Sequence, residues 1–116
     1  MDNAQLLKGV LEGCVLAIVA RGETYGYEIL GALEQAGFAD IGEGTLYPLL
    51  TRLDKNKLIA CRRVKSPLGP VRKNYTITPA GEASLADFRA RYRLIAASAA
   101  SILFPNEEEQ EDNHGA

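Results

Sequence analysis

Two periods run through this sequence, one of three to four residues and one of two, and they divide it into helices and a hairpin. Over residues 5–20, Leu7, Leu11, Cys14, Val15, Ile18 and Val19 recur at helical spacing and predict a first amphipathic helix. Leu6, Val10 and Ala17 widen its apolar face, so it is expected to touch more than one neighbour, a second subunit among them. A second helix is predicted from a Thr24 cap through Tyr25 to Gln35, with Ile29, Leu30 and Leu33 on its buried side. Residues 44–55 form a third. At about 100° per residue, Leu46, Leu49, Leu50 and Leu53 share one arc and must be buried. Gly44, Thr45, Pro48, Thr51, Arg52 and Lys55 then show small, hydroxyl and cationic groups on the other side.

Pro48 leaves two starts open for this helix. Either it begins near Glu43 and loses one backbone hydrogen bond at the proline, or it begins near Thr45 with the proline in its tolerant first turn. Both would leave free N–H groups near Gly44 to Leu46, a favourable seat for a phosphate.

Residues 58–65 and 71–78 read as strands, and Ser66-Pro67-Leu68-Gly69-Pro70 between them is built of turn formers. Tyr75 and Ile77 share an inward strand face, while Lys65, Arg72 and Lys73 sit outward at the tip. A two-stranded ribbon must lean on helices to be stable. Three helices with such a ribbon make a winged helix. Thr78-Pro79 opens the longest helix, with a cap residue followed by proline at the first helical position. From there Leu85, Phe88, Tyr92, Ile95, Ala99 and Ile102 step by threes and fours, a seam with a period near 3.5 that fits helices paired side by side. The alternative is a helix folded back on its own domain. Phe104-Pro105 stops it.

The expected fold is therefore mainly α with a small antiparallel β-hairpin. A winged helix-turn-helix DNA-binding domain would span residues 1–78 and a C-terminal dimerisation helix residues 79–104. Residues 105–116 are expected to form an acidic, disordered tail.

Charge changes this picture most. The net charge is −2, which by itself argues against a nucleic-acid partner. Glu107, Glu108, Glu109, Glu111 and Asp112, however, all lie in the tail, and without them the balance turns positive. Between Arg52 and Lys73 the chain carries Arg52, Lys55, Lys57, Arg62, Arg63, Lys65, Arg72 and Lys73 against a single acid, Asp54. A merely solvated surface mixes its signs, so this stretch is expected to meet a polyanion.

Other chemistry is sparse. Cys14 and Cys61 are far apart, with no metal-ligand spacing, and read as small apolar side chains in a reducing compartment. No phosphate-cradling glycine loop or paired nucleophile and base is present, so neither an enzyme nor a cofactor or metal is expected. His114, alone in the tail, is assigned no role. With no leader-like segment and no long uncharged apolar run, the protein is expected to be soluble and cytoplasmic, without membrane attachment.

The order of these pieces resembles the PadR family of transcriptional regulators. The resemblance rests on Tyr25-Gly26-Tyr27-Glu28-Ile29, on Gly44-Thr45-Leu46-Tyr47-Pro48-Leu49-Leu50 with Arg52-Leu53, and on Leu58-Ile59. Arg72-Lys73-Asn74-Tyr75 with Thr76-Ile77-Thr78-Pro79-Ala80-Gly81 completes it. It implies a homodimeric, repressor-type protein of the subgroup with one short C-terminal helix. Three departures stand out. Lys57 occupies a common glycine position, Asn74 replaces a common aromatic, and the absence of tryptophan removes the aromatic sandwich with which some small members hold flat drugs.

On this reading Thr45, Tyr47, Thr51 and Arg52 approach the major groove, and Tyr25, Tyr27, Lys55, Arg72 and Lys73 hold phosphates of double-stranded DNA. A homodimer favours a pseudo-palindromic operator. Its interface would use Leu85, Phe88, Tyr92, Ile95, Ala99 and Ile102, and a cavity at its centre could take a small-molecule effector. The competing reading is a winged helix used for protein assembly instead of DNA binding.

Overall fold

A computed structural model describes residues 3–107. Helices α1 (Asn3–Leu7) and α2 (Val10–Ala20) lead into a short strand β1 (Thr24–Tyr25). Helices α3 (Gly26–Ala36) and α4 (Glu43–Lys55), strands β2 (Ile59–Val64) and β3 (Arg72–Ile77), and helix α5 (Pro79–Leu103) follow. The chain divides into two compact units after Leu85.

The first unit closes its own core. Leu46, Leu49, Leu50 and Leu53 are all buried, as their shared arc on α4 requires, and they meet Leu11, Val15, Leu16 and Val19 of α2 and Ile29 and Leu33 of α3. Ile59 and Tyr75 complete this core from the sheet, and Leu85 from the start of α5. The strands run antiparallel in the order β1-β3-β2, with Tyr25 opposite Asn74 and Arg62 opposite the same Asn74.

Several expectations need correction. The first helix is broken, because Gly9 takes φ 89°, a left-handed conformation that glycine alone adopts without strain, and α2 restarts at Val10. Of the residues that widen the apolar face of this helix, Ala17 packs against the core, Val10 is half-buried and Leu6 remains 69% exposed. Thr24 is not the cap of α3. It pairs in β1, and its hydroxyl donates to Glu28 Oε1 at 2.8 Å. The hairpin thus gains a third strand.

At α4 the earlier start is the one adopted, so Pro48 stands inside the helix and offers no N–H to the Gly44 carbonyl. Two of the N–H groups in the expected phosphate seat are engaged, since those of Thr45 and Leu46 both donate to the Gly42 carbonyl, at 3.2 and 3.0 Å. Leu85, placed first in the expected seam, is 2% exposed and belongs to the core. Backbone 105–107 is helical after a break at Phe104, and the rest of the acidic segment, with His114, lies outside the described residues.

The join between wing and α5 follows from three neighbouring residues. Lys57 takes φ 61°, which accounts for the usual glycine there. The Thr78 hydroxyl lies 2.7 Å from the Lys57 carbonyl and 3.0 Å from that of Leu58, and it accepts the Gly81 N–H at 3.0 Å, capping α5. Gly81 has no room for a side chain, because a Cβ there would run into the Leu58 carbonyl.

In the second unit most apolar residues of α5 are exposed. Tyr92, Leu94, Ile95, Ala99, Ile102, Leu103 and Phe104 are exposed, and Phe88 stacks on Tyr92 with ring centroids 5.9 Å apart.

Candidate nucleic-acid interface

The leucine side of α4 fixes what its other side can show. With Leu46 and Leu50 buried, Tyr47 and Thr51 emerge toward the wing, and the groove between them encloses about 860 Å³. Tyr25, Tyr27, Tyr47 and Thr51 line it together with Lys65, Arg72 and Lys73. Three tyrosines interleaved with three cations suit a backbone of phosphates with stacked bases between them.

Each tyrosine is placed for a different reason. Gly26 lets Tyr47 lie against the start of α3, since a Cβ at position 26 would come within 2.5 Å of the Tyr47 hydroxyl. Burial pushes the Tyr47 hydroxyl above its ordinary pKa, with the Glu43 charge adding to the shift, so it stays protonated as a donor at neutral pH. Tyr27 is 70% exposed on the first turn of α3. Tyr25 lies under Arg72, whose guanidinium carbon is 3.9 Å from the ring centroid. Thr51 donates its hydroxyl to the Tyr47 carbonyl at 3.0 Å, which leaves the oxygen outward as an acceptor.

The expected DNA-facing residues do not all gather in this groove. Thr45 and Arg52 lie on the other flank of α4, lining a smaller hollow with Leu7, Lys8 and Glu12. There Arg52 meets the Glu12 carboxylate at 3.3 Å. Lys55 is exposed in the last turn of α4 and lines neither hollow.

The sheet sorts the cations further. Arg62 makes two bonds to the Glu23 carboxylate, at 3.3 and 2.7 Å. Glu23 also accepts the Asn74 amide at 3.1 Å, and the Asn74 carbonyl oxygen accepts Arg72 Nε at 3.2 Å. The Arg62 hydrogen bond, followed by that of Asn74, holds the Glu23 carboxyl below its ordinary range. A depressed carboxyl contributes stability above its unfolded pKa, and that contribution is lost as pH falls through the folded value. Glu23, Arg62 and Asn74 are hydrogen-bonded neighbours that sequence periodicity does not assemble. The one available signal was that Arg72, Asn74 and Thr76 alternate onto a single strand face.

Both cysteines are free and half-buried, and no helix among the described residues is long and apolar enough to cross a membrane.

Comparison with known proteins meets this geometry. The family model described as the transcriptional regulator PadR-like family matches residues 15–87. An uncharacterised protein of Lysinibacillus sphaericus is 30% identical over 89 residues, covering 75% of this chain and 82% of its own. The crystal structure of a PadR-like transcriptional regulator from Bacillus cereus is 43% identical, with a TM-score of 0.77 over 86% of this chain and 97% of that one. Bacillus subtilis PadR, solved in complex with operator DNA, shares the fold at 24% identity and a TM-score of 0.66, over 82% of this chain and 59% of its own. By the reach of the family model and the identity to these relatives, this chain belongs to the PadR-like family of transcriptional regulators.

Proposed function

We propose that this protein is a cytoplasmic, sequence-specific DNA-binding regulator of repressor type that acts as a homodimer. The observation that carries the reading is the groove in which Tyr47 and Thr51, backed by four buried leucines, face the cationic wing. Residues 1–78 would hold the duplex and residues 79–104 would pair the subunits. α4 enters the major groove, where Thr45, Tyr47, Thr51 and Arg52 approach base edges. For Arg52 this means exchanging Glu12 for DNA. Tyr25, Tyr27, Lys55, Arg72 and Lys73 hold phosphates and fix register. That Bacillus subtilis PadR, which shares this fold, was solved in complex with operator DNA supports duplex DNA as the partner.

The homodimer is supported by α5, where Tyr92, Ile95 and Ile102 remain 47%, 68% and 80% exposed. So many contiguous apolar residues mark an interaction face. Two copies paired there present two α4 helices about 34 Å apart, one turn of DNA. A small-molecule effector would act by preferring one dimer geometry over another. It would lodge in a cavity at the dimer centre, enclosed by the first helix and α5.

The test is selection of bound sequences from random duplexes, followed by affinity measurements over a range of salt. The expected result is an enriched pseudo-palindrome whose affinity falls steeply with salt. No enrichment and a salt slope near zero would contradict the reading.

A further inference from the structure

The wing reads in sequence as a set of interchangeable cations, but the structure treats two of them very differently. Tyr25, Asn74 and Arg62 are register partners across β1, β3 and β2, so their side chains share one face of the sheet. Arg72 stands two residues before Asn74 on the same face. Along this face runs a chain of contacts from Arg62 to Glu23, from Glu23 to Asn74, and from Asn74 to Arg72. Arg62 is paired with the Glu23 carboxylate, whereas Arg72 makes its hydrogen bond to an amide and its face contact to a ring, and feels the Glu23 charge only from beyond ion-pair distance.

This arrangement determines what each arginine can offer. A guanidinium presents a planar fork of five donors. In Arg72 the Nε edge is held by the Asn74 carbonyl oxygen, and one face is held by the Tyr25 ring. Its terminal nitrogens have no carboxylate partner among the described residues, and they border the groove. The Asn74 amide is itself fixed, because its nitrogen donates to Glu23 and its side chain is buried with every polar atom partnered.

We propose that Asn74 is a positioning residue for DNA binding, held by Glu23, and that it aims Arg72 so that the terminal nitrogens meet a backbone phosphate as a preformed fork. Glu23 serves twice, since it orients Asn74 and cancels Arg62, leaving Arg72 as the cation this face presents. Ordering the side chain before binding removes part of the entropy that a free arginine loses on contact. The inference rests on the DNA-binding reading above and adds to it the device that sets one contact.

A double-mutant cycle tests it, with affinity for a mixed-sequence duplex measured at several salt concentrations. Arg72→Ala is expected to weaken binding about tenfold and to lower the salt slope by about one. Asn74→Ala keeps the charge, so it is expected to weaken binding about fivefold with the slope unchanged. In the Arg72→Ala background Asn74→Ala should add less than about twofold. Arg72→Lys, at an exposed position, keeps the charge without an Nε edge and should match Asn74→Ala, which covers the case that the buried substitution does not fold. Costs that multiply in the double variant, or an Arg72→Lys protein that binds as the parent does, would overturn the positioning role. An Arg72→Ala protein with unchanged affinity and slope would remove Arg72 from the interface and the inference with it. Failure of the unsubstituted protein to bind any duplex is a different result, which defeats the DNA-binding reading itself.

Discussion

Helix α4 and the outer part of α5 both carry apolar stripes, and the two come to opposite ends. All four leucines of α4 are buried inside its own unit, Leu49 at 6% exposed and the other three at 0%. Beyond Leu85, α5 leaves Ile95 and Ile102 open to solvent. The difference lies in what surrounds each stripe. α4 is packed among α2, α3 and the sheet, whereas the apolar residues of α5 in the second unit have no cover among the described residues. A stripe states that a face wants cover, and only the fold says whether the same chain supplies it.

Substitutions can break this contrast. Leu50→Ala should cost about 3 kcal/mol in urea melts, because it opens a cavity in a closed core. Gly81→Ala, where α5 touches the wing join, should cost about 2 kcal/mol by driving a methyl against the Leu58 carbonyl. Thr78→Ala removes the cap of α5 and should cost about 1 kcal/mol in the same assay. Ile95→Ala and Ile102→Ala should each change the stability of diluted, separated subunits by less than about 0.5 kcal/mol, while weakening subunit pairing in sedimentation at higher concentration. Equal losses of subunit stability at positions 50 and 95 would erase the contrast.

Local periodicity made much of this fold legible. The arc of Leu46, Leu49, Leu50 and Leu53 and the Thr78-Pro79 start each depend on residues within one or two turns. What escaped depends on partners far along the chain. β1 has only two residues, too few for a pattern, and exists because the free edge of β3 accepts them. Glu23 reaches Arg62 across 39 residues and Asn74 across 51, so the inequality of the wing cations could not be read from their clustering. Leu85 fits a paired seam and a buried core equally well in sequence, and the packing of α5 beside Leu58 decides between them. The break at Gly9 was hidden because the apolar spacing continues across it.

The claim that joins the two regions is that a closed winged unit is delivered to DNA in pairs through the open face of α5. Sedimentation of the protein with its selected duplex at low salt tests this most directly, through the mass of the complex. Two subunits on each duplex, falling to one when Ile95 and Ile102 are replaced by glutamate, is the predicted result. A single subunit bound by the unsubstituted protein would contradict it.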